Sequence, residues 1–269
     1  MDKRILFDMH THSDNSPDGE HSVTLMCEKA IEKGVDILAI TDHCECNAYR
    51  EDHYDRSSKQ SFFEISKAQA VFGNRIRLLR GVELGQPTQD ILAAETAVRS
   101  NDYDFVLGSL HNNAGRRDYY YLDYSEENVD KLLDEYFDEL FQLVTWGGFD
   151  SLAHLTYPIR YVTGREGIAV DLSKWSGAVD EVLRLLAQKG KALEINTSCL
   201  KMDPPFTMPG YDLISRFREL GGELITIGSD SHTADGIYYG IDEGREIAKR
   251  AGFEYAAVFV KRRPEMIKL

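Results

Sequence analysis

Apolar positions along the chain follow two alternating patterns. Short, nearly continuous apolar runs, typical of strands covered on both faces, occupy residues 5–9, 37–41, 78–83, 105–110, 149–153, 192–196, 224–228 and 256–260. Between several of them, apolar residues recur at helical spacing over residues 23–33, 126–145, 179–188 and 212–219. Glycine follows three of these segments as a helix stop, at Gly34, Gly190 and Gly221. Strands that alternate with helices predict a parallel sheet.

The repeat length and the chain length favour a β/α barrel. The chain has 269 residues, and such barrels typically use ~250. We find no linker and no shift in composition, so we expect one domain over residues 1–269. Residues 45–60 are charged and aromatic and show neither period, and they are predicted to form a loop.

Six of the eight histidines lie at or just after the carboxyl end of a predicted strand. They are His10, His12, His43, His111, His154 and His232, and the acids at the same level include Glu83 and Asp230. Barrel enzymes build their active sites at that end. One such histidine is more often structural, but a buried set of this size without a metal would face large desolvation costs. Imidazoles and carboxylates suit zinc, iron or manganese, so the pattern predicts a metal centre at the mouth of the barrel.

The ordered set HTH, TDH, E, H, H and DSH, from His10 to His232, resembles the PHP family (polymerase and histidinol phosphatase). The resemblance implies a distorted, TIM-like (β/α)7 barrel with its metal site at the C-terminal end of the strands, which leaves residues 256–260 as an extra strand. It also implies three divalent ions, with ligands His10, His12, Glu83 and Asp230 for the first, Glu83, His111 and His154 for the second, and Asp18, His43 and His232 for the third. Many members of the family have histidine where this chain has Asp18, and Asp14 is the alternative ligand.

Within the family, the chain is most similar to the phosphatases of histidine biosynthesis. Three features carry this likeness: the length of 269 residues, the long insertion between His43 and Glu83, and the GSLH run that ends at His111. The likeness implies a phosphomonoesterase that hydrolyses L-histidinol phosphate to L-histidinol and phosphate, with a metal-bound hydroxide as the nucleophile. The metals would be zinc, iron or manganese.

Polar residues near the strand ends are candidates for catalysis and substrate binding. Arg160 is the first choice for the phosphoryl oxygens, because a planar guanidinium suits phosphate. Arg117 is a second choice, and Asn196 at the end of a strand could donate hydrogen bonds to the substrate. Asp42, next to a candidate ligand, is either the partner of that ligand or the general acid for the leaving group. Glu45 would receive the ammonium group of a histidinol-like alcohol.

The formal net charge of -14 restricts the partners. It would repel a polyanion such as DNA, so no nucleic acid is expected, although a rim of Lys and Arg at the mouth would favour an exonuclease. The apolar stretches are too short for a membrane span or a signal peptide, which predicts a cytoplasmic protein. The four cysteines are expected to be free thiols. A phosphotyrosine protein phosphatase, a metal-dependent amidohydrolase and a metal-binding module without hydrolysis are the alternatives, and the oligomeric state stays open.

Overall fold

The structure, a computed structural model, describes residues 4–269. Its main sheet consists of parallel strands, namely β1 (Phe7–Asp8), β2 (Ile37–Ile40), β3 (His43–Glu45), β4 (Arg77–Gly85), β5 (Phe105–Ser109), β6 (Ser151–Leu152), β7 (Ala192–Asn196) and β8 (Ile225–Gly228). The strands pair in the order β1-β2-β4-β5-β6-β7-β8, and the short β3 pairs with the carboxyl end of β4.

Helices alternate with these strands along the chain. The α-helices of the described residues are α1 (Val23–Glu32), α2 (Tyr54–Phe72), α3 (Ile91–Ser100), α4 (Val129–Trp146), α5 (Tyr157–Val162), α6 (Ser176–Gln188), α7 (Tyr211–Glu219) and α8 (Ile241–Arg250). All of them except the short α5 have a buried face and an exposed face, as expected of helices that pack on the outside of a sheet. In the part of the chain from residue 4 onwards, no helix combines the length and the apolar character of a membrane span.

Backbone hydrogen bonds close the sheet between its first and last strands. Met9 N donates to Ile227 O at 3.1 Å, and Asp230 N donates to His10 O at 2.8 Å. The chain that leaves β1 therefore lies against β8, and a further parallel bridge follows. The predicted TIM-like barrel of seven main strands is confirmed by this arrangement.

The last predicted strand lies outside the barrel. It is β9 (Tyr255–Val260), which pairs antiparallel with β10 (Arg263–Lys268) in a separate two-stranded sheet. At the turn of this hairpin, the Arg262 side chain donates to Asp150, and its backbone N–H donates to Asp104 O at 2.9 Å. These two acids immediately precede β6 and β5. The hairpin therefore covers the amino end of the barrel, opposite the predicted metal centre.

The prediction of a loop over residues 45–60 is wrong in its second half, where α2 begins. The buried stripe of α2 consists of Tyr54, Ser58, Ser61, Ile65, Ala68 and Phe72. Serine at two of these buried positions concealed the helical period, because a hydroxyl residue counts as polar in a hydropathy pattern. The structure satisfies both hydroxyls: Ser58 Oγ donates to Tyr54 O at 2.7 Å, and Ser61 Oγ donates to Asp42 at 2.5 Å.

Local sequence explains the bounds of α4, the longest predicted helix. Asn128 caps its first turn, because the side-chain oxygen accepts from Lys131 N at 3.1 Å. Gly147 ends it at φ 68, a left-handed conformation that glycine adopts without strain. Between them lies an apolar stripe of Leu132, Leu133, Tyr136, Phe137, Leu140, Leu143 and Val144, all buried. This stripe fixes the helix on the barrel beside α6.

Candidate metal centre

All but one of the predicted metal ligands lie at the carboxyl ends of the barrel strands. In strand order they are His10 and His12 after β1, His43 in β3, Glu83 in β4, His111 after β5, His154 after β6, and Asp230 and His232 after β8. The exception is Asp18, which lies in the loop between β1 and α1. Because these ends meet at one mouth, the side chains form three adjoining groups.

The first group contains His10, His12, Glu83 and Asp230. His10 Nε2 lies 3.0 Å from His12 Nε2 and 3.3 Å from Glu83 Oε2. Asp230 Oδ1 lies 3.3 Å from His12 Nε2 and 3.6 Å from His10 Nε2. In a tetrahedral site with bonds of about 2.1 Å, the ligand atoms are separated by about 3.4 Å. The measured separations therefore match a four-coordinate metal site.

The second group shares Glu83 with the first. Glu83 Oε1 lies 2.8 Å from His154 Nε2 and 3.1 Å from His111 Nε2, and the two ring nitrogens are 3.4 Å apart. The two carboxylate oxygens of Glu83 thus face different groups. This is the arrangement expected of a carboxylate that bridges two metal ions.

The third group consists of stacked imidazoles with an exposed acid. The His12 ring centroid lies 4.3 Å from that of His43 and 4.2 Å from that of His232. Asp18 Oδ2 lies 3.1 Å from His232 Nε2, and Asp18 Oδ1 lies 3.6 Å from His43 Nε2. His43 also directs Nδ1 to within 3.0 Å of Glu83 Oε2, so it adjoins the other groups as well. Of the two acids considered from the sequence, Asp18 and not Asp14 lies beside these rings.

Several ligand atoms of these groups are buried without a hydrogen-bond partner. They include Glu83 Oε2, His43 Nδ1 and His232 Nε2, whose short contacts with neighbouring ligand atoms lack the geometry of a hydrogen bond. A buried polar atom without a partner costs about 1–3 kcal/mol, and a bound cation would remove that cost. The donor types and their spacing therefore fit divalent metal ions.

Facing imidazoles keep the carboxylates of the centre ionised. Burial raises the pKa of Glu83, but His10, His111 and His43 outweigh it and hold this pKa well below its usual range. Burial of Asp230 is likewise outweighed by imidazoles, chiefly His10, so its pKa is also well below the usual range. Charged carboxylates are the form that binds metal ions.

Four of the six imidazoles donate from Nδ1 to a protein oxygen and direct Nε2 into the centre. Their acceptors are Glu194 for His10 at 2.7 Å, Ser16 Oγ for His12 at 3.2 Å, Glu45 for His111 at 3.1 Å, and the Asp230 carbonyl for His232 at 3.1 Å. A hydrogen bond of this kind fixes the tautomer and the ring orientation of a metal-binding histidine. In the neutral form of each ring, which is the form that binds a metal ion, Nε2 is then the unprotonated nitrogen and points toward one region.

The structure places several candidate residues behind the ligands instead of at the substrate cavity. Asp42 is buried, accepts four hydrogen bonds from Ser13, Ser16 and Ser61, and does not line the cavity. Glu45 lies against His111, away from the cavity wall.

Two further candidates also lie away from the cavity wall. Asn196 donates to Glu194 at 3.2 Å. The Arg117 guanidinium lies over the Tyr121 ring at 5.7 Å. Neither side chain lines the cavity, although Tyr121 does.

A cavity of about 600 Å³ opens above the three groups. Its wall includes Arg160 and Lys201, the acids Asp118 and Glu20, and the tyrosines Tyr120, Tyr121, Tyr157, Tyr161 and Tyr239. Arg160 lies in α5, and its Nη1 is 3.5 Å from Asp230 Oδ2. Of the cationic and acidic candidates for substrate binding, Arg160 is the one that the structure brings to the cavity.

Sequence reasoning missed Glu194 and the tyrosine wall. A signal for Glu194 was present, since a lone carboxylate inside the apolar run 192–196 must find buried donors. The two remaining histidines lie outside the three groups. His53 is an exposed residue immediately before α2, and His21 accepts from Ala234 N at 3.2 Å in a loop.

Comparisons with known proteins agree with this geometry. A family model described as PHP domain matches residues 8–198. The chain is 31% identical over 258 residues to a histidinol-phosphatase of Lactococcus lactis, which covers 94% of this chain and 93% of the relative. It is 29% identical over 256 residues to a probable histidinol-phosphatase of Thermotoga maritima, covering 94% and 95%.

A solved structure extends the likeness to three dimensions. The crystal structure of histidinol phosphate phosphatase from Lactococcus lactis, complexed with zinc, L-histidinol and phosphate, superposes with a TM-score of 0.84. The match covers 98% of this chain and 100% of that chain at 27% sequence identity. Fold, strand-end residues and sequence identity lead to one conclusion: the chain belongs to the PHP domain family.

Proposed function

We propose that this protein is a metal-dependent phosphomonoesterase that hydrolyses L-histidinol phosphate to L-histidinol and phosphate. Three groups of ligand atoms on the floor of a cavity of about 600 Å³ carry the proposal. The relative from Lactococcus lactis that binds zinc, L-histidinol and phosphate supports the choice of substrate.

The three groups would hold three divalent ions, of zinc, iron or manganese. The first ion would bind His10, His12, Glu83 and Asp230, the second Glu83, His111 and His154, and the third Asp18, His43 and His232. When bound, such ions supply a more acidic water and positive charge for the phosphoryl oxygens. The chain's own contribution is the spacing of the ligand atoms and the fixed orientation of the rings.

Arg160 would hold the phosphoryl group against the floor of the cavity. Its guanidinium lies beside Asp230 at 3.5 Å and over the Tyr161 ring at 5.8 Å, which together orient the fork. Burial lowers the pKa of Arg160, but the Asp230 carboxylate together with Tyr161 and Cys199 outweighs burial and raises the pKa above its already high usual value. Arg160 therefore stays charged and can form paired hydrogen bonds to phosphoryl oxygens.

The wall of the cavity suits an alcohol that carries an imidazole and an ammonium group. Tyr120 and Tyr121 project exposed rings at its edge, and Tyr157 and Tyr161 bond to each other at 2.9 Å deeper inside. Aromatic faces attract a flat ring and a cation. Asp118 lies on the same wall and would receive the ammonium group, the role expected of Glu45 from the sequence.

The charges at the mouth favour a small ester over a nucleic acid. Among the described residues that line the cavity, the arginine and lysine side chains are Arg160 and Lys201. Three acids, Asp18, Glu20 and Asp118, lie at the rim. A polynucleotide would need a continuous cationic path across a surface with a net charge of -14.

A substrate comparison tests the proposal. The protein is stripped with a chelator and reconstituted with Mn²⁺, Zn²⁺ or Fe²⁺. Phosphate release is then measured from L-histidinol phosphate, p-nitrophenyl phosphate, a phosphotyrosine peptide and a dinucleotide. We expect kcat/KM for L-histidinol phosphate to exceed the others by several orders of magnitude. A preference for the phosphopeptide or the dinucleotide would overturn the substrate, and metal-loaded protein that cleaves no ester would overturn the function.

A further inference from the structure

Glu194 is a fully buried acid in the middle of β7, between apolar neighbours. A carboxylate in such a place requires donors at both oxygens. Oε1 receives the Nδ1–H of His10 at 2.7 Å, and Oε2 receives the backbone N–H of His154 at 2.8 Å. The Asn196 amide adds a third bond to Oε2 at 3.2 Å.

The first oxygen of Glu194 fixes a ligand of the first group. Because His10 donates from Nδ1, Nε2 is the nitrogen without a proton in the neutral ring, the form that binds a metal ion. That nitrogen is the atom 3.0 Å from His12 Nε2 and 3.3 Å from Glu83 Oε2. The bond to Glu194 therefore sets both the tautomer and the direction of the His10 ring.

The second oxygen fixes a ligand of the second group. His154 has φ 22, a positive value that residues other than glycine seldom adopt. Its backbone N–H is held by Glu194, and its Nε2 reaches Glu83 Oε1 at 2.8 Å. The same carboxylate thus holds one ligand from each of two groups that come from different strands.

The neighbouring strand leaves room for this contact. A Cβ atom at Gly228 in β8 would lie 2.3 Å from His10 Cβ and 2.7 Å from Glu194 Oε1. Real Cβ atoms do not approach other atoms so closely, so the pair requires glycine at this position. Glycine at position 228 therefore allows the His10 and Glu194 side chains to meet beside β8.

We propose that Glu194 is a positioning residue that determines the metal affinity of the first and second groups together. It does not line the cavity, so it acts through His10 and His154 and not on the substrate. The inference rests on the metal centre of the proposed function.

Substitution by glutamine tests this role. In Glu194→Gln, one oxygen becomes an NH₂ group, so the side chain can accept from His10 or from His154 but not from both. Its volume is unchanged, so the barrel is expected to fold. We expect zinc affinity, measured by competition with a chromophoric chelator, to fall about 10–100-fold, as for other partners of metal ligands.

Asp150→Asn is the matched control. Asp150 is also buried, accepts a backbone N–H from Val106 at 2.9 Å, and pairs with Arg262 at the opposite end of the barrel. The same chemical change there is expected to lower the melting temperature and leave zinc affinity unchanged. Unchanged affinity in Glu194→Gln would overturn the inference, and so would an equal loss of affinity in both variants. Because zinc binding is measured without substrate, a zinc-binding protein that cleaves no ester would refute the proposed function alone.

Discussion

The substitution Asp42→Asn tests whether Asp42 is a buried partner or the general acid. The Asp42 side chain is 2% exposed. One carboxylate oxygen accepts from Ser13 N at 2.6 Å and Ser16 Oγ at 2.8 Å, and the other accepts from Ser13 Oγ at 2.7 Å and Ser61 Oγ at 2.5 Å. Four donors occupy the carboxylate, and the residue is absent from the described cavity wall.

The cost of Asp42→Asn follows from these four bonds. The amide oxygen can keep the bonds to Ser13 N and Ser16, and the serine hydroxyls can rotate to accept from the new NH₂ group. What is lost is the charge on the acceptor, about 1 kcal/mol for each bond, since bonds to charged groups contribute about 1.5–3 kcal/mol and neutral bonds about 0.5–1.5. The free energy of unfolding should fall by about 2–4 kcal/mol. That loss would lower the melting temperature by roughly 5–15 °C.

The effect on activity should be the same for every leaving group. Ser16 Oγ also accepts from His12 Nδ1 at 3.2 Å and from His43 N at 3.1 Å, so Asp42 reaches the metal ligands through Ser16. Loosening these ligands should lower kcat/KM for alkyl and aryl phosphates by one common factor. A general acid would instead be needed most for the poor alkoxide leaving group.

The assay compares L-histidinol phosphate with p-nitrophenyl phosphate in saturating zinc, with a thermal melt of each protein. Ser61→Ala is the control, because it removes one of the four bonds and should produce a fraction of the loss of stability. A loss on the alkyl ester more than about tenfold greater than on the aryl ester, with an unchanged melting temperature, would refute the buried-partner role and restore Asp42 as the acid.

Three other expectations follow from the site. Arg160→Lys keeps the charge but loses the planar fork, so kcat/KM should fall at least tenfold with little change in melting temperature; unaltered kinetics would remove Arg160 from phosphate binding. Asp118→Asn should raise KM for L-histidinol phosphate about tenfold, the equivalent of 1.4 kcal/mol, and leave p-nitrophenyl phosphate unaffected; parallel changes with both esters would argue against the ammonium contact. Burial raises the pKa of Cys199 to about 11 and that of Cys27 to about 12. Native protein should therefore resist iodoacetamide at pH 8, whereas the unfolded protein should take up four labels. Rapid labelling of the native protein would contradict the buried thiols.

The positions of the candidate metal ligands other than Asp18 could be predicted because they depend on strand ends alone, whereas Asp18 in the loop after β1 was implied only by the family resemblance. Any parallel barrel collects the residues that follow its strands at one mouth. His10, His154 and His232 could therefore be grouped without knowing a single contact. The same reasoning placed Arg160 at the mouth, because only a few residues separate it from the end of a strand.

Residues that act through a neighbour could not be placed in this way. Whether Glu45 faces the substrate or His111 depends on the short β3, which no periodicity indicated. Glu194 finds His10 only because β7 lies next to β8 and Gly228 leaves space between them. The buried serines of α2 are explained by Asp42, which comes from a different element.

The most direct measurement is anomalous X-ray diffraction, at the zinc absorption edge, from crystals of the protein grown with zinc. We expect strong peaks about 2.0–2.3 Å from the ligand atoms of the first and second groups, with Glu83 bound to both ions, and a third peak among Asp18, His43 and His232. Zinc bound elsewhere, or a zinc-loaded crystal with no peak within coordination distance of Glu83, would contradict the metal centre and the function built on it.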